Sequence, residues 1–542
     1  MARKGVSKVR TGCVTCKTRK IKCDEGKPHC NRCTSTGRKC DGYAVPKSDW
    51  SLCRRPRHLS RGVGGAAESR ALQFFCEIAG PFLPGASDPY FWTQLVMQFS
   101  NFEPVVQHSV IAISALYEQC QTETPPGTGI RDNTLALRHY NTAITELKAT
   151  QNPSLVLLVC ILFICIEFLQ SNREAAIRHC KHGIAILENS VSTPDWAKEH
   201  LKPVFRRLSI FAYFFGSGDA EFPGLVPLDD PVPASFSNFS DARAMMDDIF
   251  SRAVRLTRYG EPYRLGHLRY ADVPIGLLEE QEKLCYRLDQ WQILFANLDG
   301  RLTSQNMPTA QRSDLGGEFV KSLLRLDLSI CCEISRILSN MAFSGDEISY
   351  DAYLCNFRRV IEQFAHFGAI TLDKARTAKR CPKFIFETGF TPMLFCVATK
   401  CRDLSIRLTA LSLMKLLGVC RENLWEADTA YAVARRVIEI EHAVILNELG
   451  QPLGPPLYPG LPPDKMRVRK AWTESEELIQ SNKFRQEMSG KFVRFYMRTP
   501  ENTIYHHTEF LATGGIDQAS ESRSPLNGTR RLSGTLESFV RG

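Results

Sequence analysis

Residues 13–40 read CVTCKTRKIKCDEGKPHCNRCTSTGRKC. Six cysteines, Cys13, Cys16, Cys23, Cys30, Cys33 and Cys40, fall into two halves of identical spacing, C-x2-C-x6-C, separated by six residues. A thiolate pair at C-x2-C can close on one side of a tetrahedral zinc. A segment of about thirty residues cannot gather its folding energy from an apolar core, so a metal has to supply it. Six thiolates satisfy two four-ligand sites only if two of them bridge. The expected bridges are the first cysteine of each half, Cys13 and Cys30, with Cys16 and Cys23 completing one zinc and Cys33 and Cys40 the other. Thiolates are soft, with several lone pairs, and suit that role. A disulfide framework is the alternative. The opening MARKGVSKVR has no apolar leader core, which argues for a reducing compartment and against disulfides.

This stretch resembles the DNA-binding module of the fungal zinc binuclear cluster transcription factors. In that family two zincs share bridging cysteines, a proline lies between the halves, and basic residues after the second cysteine read a short CGG-type triplet. The counterparts here are Pro28 in the inter-half loop and Lys17, Arg19, Lys20 and Lys22 between Cys16 and Cys23. The resemblance implies two Zn2+ as cofactors, double-stranded DNA as partner, a nuclear location, and a regulator of RNA polymerase II genes. A metabolic gene cluster is the target class by family habit.

The two halves share cysteine spacing but not charge. Between Cys16 and Cys23 the filling is KTRKIK, with four cations; between Cys33 and Cys40 it is TSTGRK, with a glycine and two cations. A short helix presented end-on to the major groove can aim Arg19 and Lys20 at guanine O6 and N7, a contact worth roughly 1–3 kcal/mol of discrimination. Lys17 and Lys22 are expected on phosphates. The second half is expected to touch the DNA backbone through Arg32, Arg38 or Lys39, which positions the module without reading sequence. No Phe, Tyr or Trp lies between Cys13 and Cys40, which counts against stacking on single-stranded bases.

Residues 1–61 hold 17 Lys and Arg against 4 Asp and Glu, whereas the remainder holds 51 against 54. The positive excess therefore sits at one end, as an electrostatic footprint on nucleic acid requires. Residues 46–70 read as a basic linker, whose Arg54, Arg55, Arg57 and Arg61 can follow phosphates or serve nuclear import. No heptad pattern follows the linker, so pairing of two modules by a coiled coil is not expected. Binding as a monomer, or as a homodimer through the large domain, both stay open.

The expected fold class is mostly α: the zinc module (1–45), the linker, a large all-helical regulatory array (71–450), and two C-terminal segments. Apolar residues recur at helical spacing in 135–147 and 174–187, and at Val433, Val437, Ile440 and Val444. Residues 155–166 are twelve apolar residues without a break, but Glu167 interrupts the run and a span needs about eighteen, so a central buried helix is expected. Five phrases resemble the regulatory domain of the same fungal factors: PYFWTQLVMQFS (89–100), the stretch 103–117, LRHYNTAITEL, AAIRHCKHGIAIL and ARRVIEIE. That domain is taken to sense signals or to contact coregulators. Six prolines in 452–463 stop any helix there. Residues 451–512 are expected to hold this break and then C-terminal helices, one or two of them amphipathic within 464–498. Residues 513–542 read as a disordered tail.

No zinc-protease helix, Walker loop, dinucleotide-binding glycine pattern or nucleophile elbow is found, so an enzyme is not expected. His179 and His182 flank Cys180 but have no third ligand in view, and read as one packed and one exposed histidine. The fourteen cysteines outside the module read as free buried thiols. The alternative function is a helical enzyme or small-molecule receptor with an accessory zinc module.

Overall fold

The unbroken apolar run at 155–166 forms the middle of the helix Pro153–Leu169. Asn152 starts it, its side-chain oxygen accepting the N–H groups of Ser154 and Leu155 at 3.0 and 3.4 Å. Pro153 fills the first turn, where a missing N–H costs nothing. Fifteen of its 17 residues are buried, so it is covered on every face instead of being amphipathic. The helices Pro104–Thr122 and Arg173–Asn189 pack on it, and each fully buried Leu, Ile or Phe contributes roughly 1.5–3 kcal/mol. Glu167 does not bring the helix to the surface. It is buried, and its carboxylate accepts the Tyr140 hydroxyl at 2.5 Å. Among the described residues no helix is long and apolar enough to cross a membrane.

The computed structural model describes residues 13–24, 26, 30–40, 65–122, 133–189, 194–215, 231–305, 315–375, 382–474, 478–481 and 487–512. The cysteine-rich segment and the large helical body belong to two separate units. Most of the linker read at 46–70, the inter-half proline Pro28, the arginines at 54–61 and the tail at 513–542 lie outside the described residues.

The described fold is mostly α, as expected. Thr134–Lys148 and Arg173–Asn189 cover the amphipathic stretches. The helix Ala427–His442 carries Val433, Val437 and Ile440, but Val444 lies beyond it. Ala443 turns left-handed at φ 48° and ends the helix there, although Val444 stays buried. The large domain also starts before the expected boundary at 71, with the helix Ala66–Phe74 inside the segment read as linker.

The array is not wholly helical. Strands β1 (Phe384–Ile385), β2 (Arg421–Glu422) and β3 (Trp425–Glu426) form a small sheet in the order β1-β2-β3. Glu422 of β2 is 1% exposed, and no cation pairs with it among the described residues. Its carboxyl accepts the N–H groups of Gly389 and Thr391 at 3.1 and 3.0 Å and the Thr391 hydroxyl at 2.7 Å. Burial outweighs these contacts and pushes the carboxyl up to about 7.

The larger departure is at the C-terminus, where the helices expected in 464–498 do not form. Strands β4 (Lys470–Thr473), β5 (Leu478–Ser481), β6 (Glu487–Arg498) and β7 (Ile504–Ala512) make an antiparallel sheet. The long β6 pairs with β4 and β5 along one edge and with β7 along the other. The physical reason is a period of two in 493–498: Val493, Phe495 and Met497 are buried, and Arg494, Tyr496 and Arg498 alternate with them. The inward face packs on Val433 and Val437 of the helix Ala427–His442 and on Val468. A two-pronged ion pair reinforces this contact, Arg436 meeting the Glu509 carboxylate of β7 at 2.6 and 2.9 Å. The β6–β7 turn closes with Asn502 at φ 64° and Thr499 N–H donating to Thr503 O at 2.9 Å.

Two measurements check this fold. Phe495→Ala should lower stability to denaturant by about 3–5 kcal/mol by opening a cavity between sheet and helix; a helical C-terminus would show a loss near that of a surface site. Glu422 has a folded-state pKa above the ordinary carboxylate value of about 4.5, so its contribution is most favourable below that pH and worsens as pH rises to about 7. Glu422→Gln should therefore gain on the order of 3 kcal/mol relative to wild type between pH 4.5 and 7.5, read from denaturation curves at each pH.

Candidate metal centre and nucleic-acid interface

The cysteine-rich unit is a structural repeat with an offset of 17 residues. Helix α1 (Val14–Thr18) follows Cys13 and helix α2 (Asn31–Thr34) follows Cys30. In each half the first cysteine caps its helix, the Cys13 sulfur accepting Cys16 N–H at 3.3 Å and the Cys30 sulfur accepting Cys33 N–H at 3.4 Å. Each helix then closes by the same pair of backbone bonds. Lys20 N–H donates to Lys17 O and Ile21 N–H to Cys16 O, both at 3.1 Å; Gly37 N–H donates to Thr34 O and Arg38 N–H to Cys33 O, both at 3.0 Å. This closure needs a left-handed residue, and the equivalent positions Lys20 and Gly37 have φ of 55° and 68°. Gly37 is there for its backbone, since a Cβ would meet nothing within 4 Å. At Lys20 the same conformation costs a non-glycine residue about 1–2 kcal/mol.

The closure brings the sulfurs together. Cys13, Cys16, Cys23 and Cys30 have their sulfurs within 4.8 Å of one another, and so do Cys13, Cys30, Cys33 and Cys40. The two sets overlap in Cys13 and Cys30, whose sulfurs are 3.5 Å apart. Cys16 to Cys30 and Cys13 to Cys33 measure 3.7 and 3.8 Å. A tetrahedral zinc with Zn–S bonds of 2.3 Å separates its sulfurs by about 3.8 Å, so both sets can hold such an ion. Burial pushes the Cys13 thiol up to about 12 and raises Cys16 and Cys30 as well. A divalent cation displaces those protons and makes the crowded sulfurs compatible. No disulfide joins any of the cysteines among the described residues.

Asp24 ties the halves together. Its carboxylate accepts the N–H groups of Asn31 and Arg32 at 2.9 and 3.0 Å, at the N-terminus of α2. The Arg32 N–H, followed by that of Asn31, holds the Asp24 carboxyl below its ordinary value. Sequence reading missed Asp24, although an acid directly after the last cysteine of a half is visible in it.

The six cations singled out from the sequence, Lys17, Arg19, Lys20, Lys22, Arg38 and Lys39, are all exposed. Only Lys17 lies within α1. Arg19 caps its C-terminus, Lys20 is the left-handed residue, and Lys22 is in the extended run to Cys23. The first half thus presents its cations at and after the C-terminal end of α1, where the helix dipole favours them. Arg38 and Lys39 follow the second turn, and the Thr15 hydroxyl reaches Lys39 O at 3.5 Å.

The other candidates remain apart. His182 is exposed; His179 is half-buried, its Nε2 3.4 Å from the Tyr140 hydroxyl and 4.0 Å from Glu167, and burial lowers it to about 4. Among the described residues neither histidine joins a metal-ligating cluster. Of the outer cysteines, Cys160, Cys165, Cys180, Cys331, Cys332 and Cys401 are buried, but Cys355 and Cys420 are exposed, unlike the expected set of buried thiols.

Comparison with known proteins agrees with this geometry. Residues 11–49 match the fungal Zn(2)-Cys(6) binuclear cluster domain. The chain is 28% identical over 336 residues to the aspercryptin biosynthesis cluster-specific transcription regulator of Emericella nidulans, covering 53% of this chain and 54% of that protein. It is 27% identical over 206 residues to a transcription regulator of Purpureocillium lilacinum, 32% of this chain and 48% of that one. A 47-residue stretch is 49% identical to the arginine metabolism regulation protein II of Saccharomyces cerevisiae, 9% of this chain and 5% of that protein. The chain spans about half the length of the first two of these relatives. No solved structure matches. The paired cysteine halves are therefore a fungal Zn(2)-Cys(6) binuclear cluster domain, a module that binds two zinc ions, carried on a chain homologous to fungal zinc cluster transcription regulators.

Proposed function

We propose that this chain is a nuclear, sequence-specific regulator of RNA polymerase II transcription that grips duplex DNA through its zinc cluster. The observation that carries the reading is the overlap of two four-sulfur sets in Cys13 and Cys30, with a denser exposed run of cations on the first half than on the second. In this reading Cys13 and Cys30 are the bridging thiolates, Cys16 and Cys23 complete one zinc, and Cys33 and Cys40 the other.

Arg19 and Lys20 contact guanine edges of a CGG-like triplet in the major groove, while Lys17 and Lys22 hold phosphates. Lys20 supports this assignment in particular: its twin is a glycine, so a lysine in the left-handed position is strained for a reason outside the fold of the module. Arg38 and Lys39 rest on the DNA backbone and carry no base preference. The helical body takes the regulatory part, by pairing two copies or by meeting coregulators. A similar protein is named for a biosynthesis cluster, which favours a metabolic gene cluster as the target. The rival reading, a helical enzyme or receptor with an accessory zinc module, predicts no dependence of any DNA binding on Lys20.

Four substitutions test the assignments. Cys30→Ala should release both zincs and unfold the module, whereas Cys40→Ala should mainly loosen one; equal loss of a single zinc from both, measured by metal analysis, contradicts the bridging role. Lys20→Ala should weaken specific DNA binding by roughly 1–3 kcal/mol and relax preference at one base. Lys39→Ala should weaken binding to all duplexes alike and lower its salt dependence. Titrations on matched and mismatched duplexes separate the last two.

A further inference from the structure

The proline-rich segment that ends the helical array does more than stop a helix. Residues 452–463 read PLGPPLYPGLPP and contain the tetrapeptide Pro455-Pro456-Leu457-Tyr458. Proline fixes φ and lacks an N–H, so such a segment favours the extended polyproline II form, which partner domains bind with little ordering cost. Two prolines followed after one residue by a tyrosine is the ligand pattern P-P-x-Y of WW domains. Their aromatic groove takes the proline rings, and a neighbouring slot takes the tyrosine. SH3 grooves also read spaced prolines but pair them with a basic residue beside the core. Residues 449–463 carry no charged side chain at all.

The structure leaves the first part of this segment largely at the surface and buries Pro462 near its end. Leu453 N–H donates to Ile445 O at 2.9 Å on one side of the motif. On the other side the backbone of Tyr458 is pinned twice by His442, its N–H donating to His442 O at 3.3 Å and its carbonyl accepting His442 Nδ1–H at 2.7 Å. Between these anchors Pro455 is exposed and Leu457 is 68% exposed, while Pro456 and Tyr458 are half-buried. A Cβ at Gly454 or Gly460 would meet no atom within 4 Å, so the chain on both sides of the motif stands in open space. Leu453, outside the motif, is as exposed as Leu457, at 68%. A loop with this much apolar side chain turned to solvent, and with its backbone fixed at both ends, has the form of a presented ligand.

We propose that residues 455–458 are a docking site for a WW domain of a partner protein, which reads Pro455, Pro456 and Tyr458. This contact is separate from DNA binding by the zinc cluster, and it gives the helical body a protein partner of defined chemistry.

The test is a titration of the full-length, zinc-loaded protein with a purified WW domain of the P-P-x-Y-reading class, checked beforehand with a P-P-x-Y peptide. Saturable 1:1 binding is expected. Tyr458→Ala and Pro455→Ala should each lower affinity at least about tenfold, the order expected for loss of an anchor side chain, and Leu453→Ala should leave it within about twofold, where surface changes outside such anchors fall. Pro455 is exposed, so its variant reports on recognition even if Tyr458→Ala disturbs the loop. Absence of binding by the wild-type protein overturns the proposal, as does binding that both motif variants retain. Binding to an SH3 domain but not to the WW domain overturns it as well.

Discussion

Thiolate crowding is the constraint on which the zinc module depends. The buried core of residues 13–40 consists of Cys13, Cys16, Cys30, Cys33 and Cys40, with Cys23 packed against them. Among the described residues this core contains no aliphatic or aromatic side chain to remove from water. Its cohesion has to come from metal–sulfur bonds, and in the proposed function two shared sulfurs make the two ions one cooperative unit. Everything else in the module is arranged to hold the sulfurs: two short helices whose N-caps are themselves cysteines, two left-handed closures, and the Asp24 carboxylate clamping the second half to the first.

The repeat also separates structure from recognition. Because the halves share backbone and cysteine geometry, differences between them are free of the demands of zinc binding. Glycine at position 37 satisfies the left-handed turn without strain, and its twin carries lysine instead. Four cations fill the first half and two the second. The same scaffold is thus used twice with different charge, and in the proposed function one half serves for contact and one for support.

Legibility in the sequence followed the strength of the local signal. Cysteine spacing made the two sulfur groups and their overlap in Cys13 and Cys30 legible, because the spacing of a thiolate pair tolerates little variation. Long periodic stretches such as those in Thr134–Lys148 and Arg173–Asn189 were legible for a similar reason. The C-terminal sheet was not. In 493–498 the apolar residues alternate with Arg494, Tyr496 and Arg498, and a short alternating run among many cations passes for one face of an amphipathic helix. What decides for a strand is the partner: β7 pairs along β6, and the helix Ala427–His442 covers its inner face. The end of the helix before Val444 was not legible either, since a left-handed Ala443 is a tertiary fact. Asp24 was in plain view, but its role appears only when the halves are folded on each other.

In the proposed function two zincs sharing sulfurs shape a cluster that reads duplex DNA. Selection of random duplex DNA by the full-length protein, with bound zinc counted on the same samples, tests it most directly. The account predicts two zincs per chain and an enriched CGG-like triplet, lost when Lys20 is replaced by alanine. Two bound zincs with no enrichment of any duplex sequence would contradict it, and would leave the cluster a structural or protein-binding element.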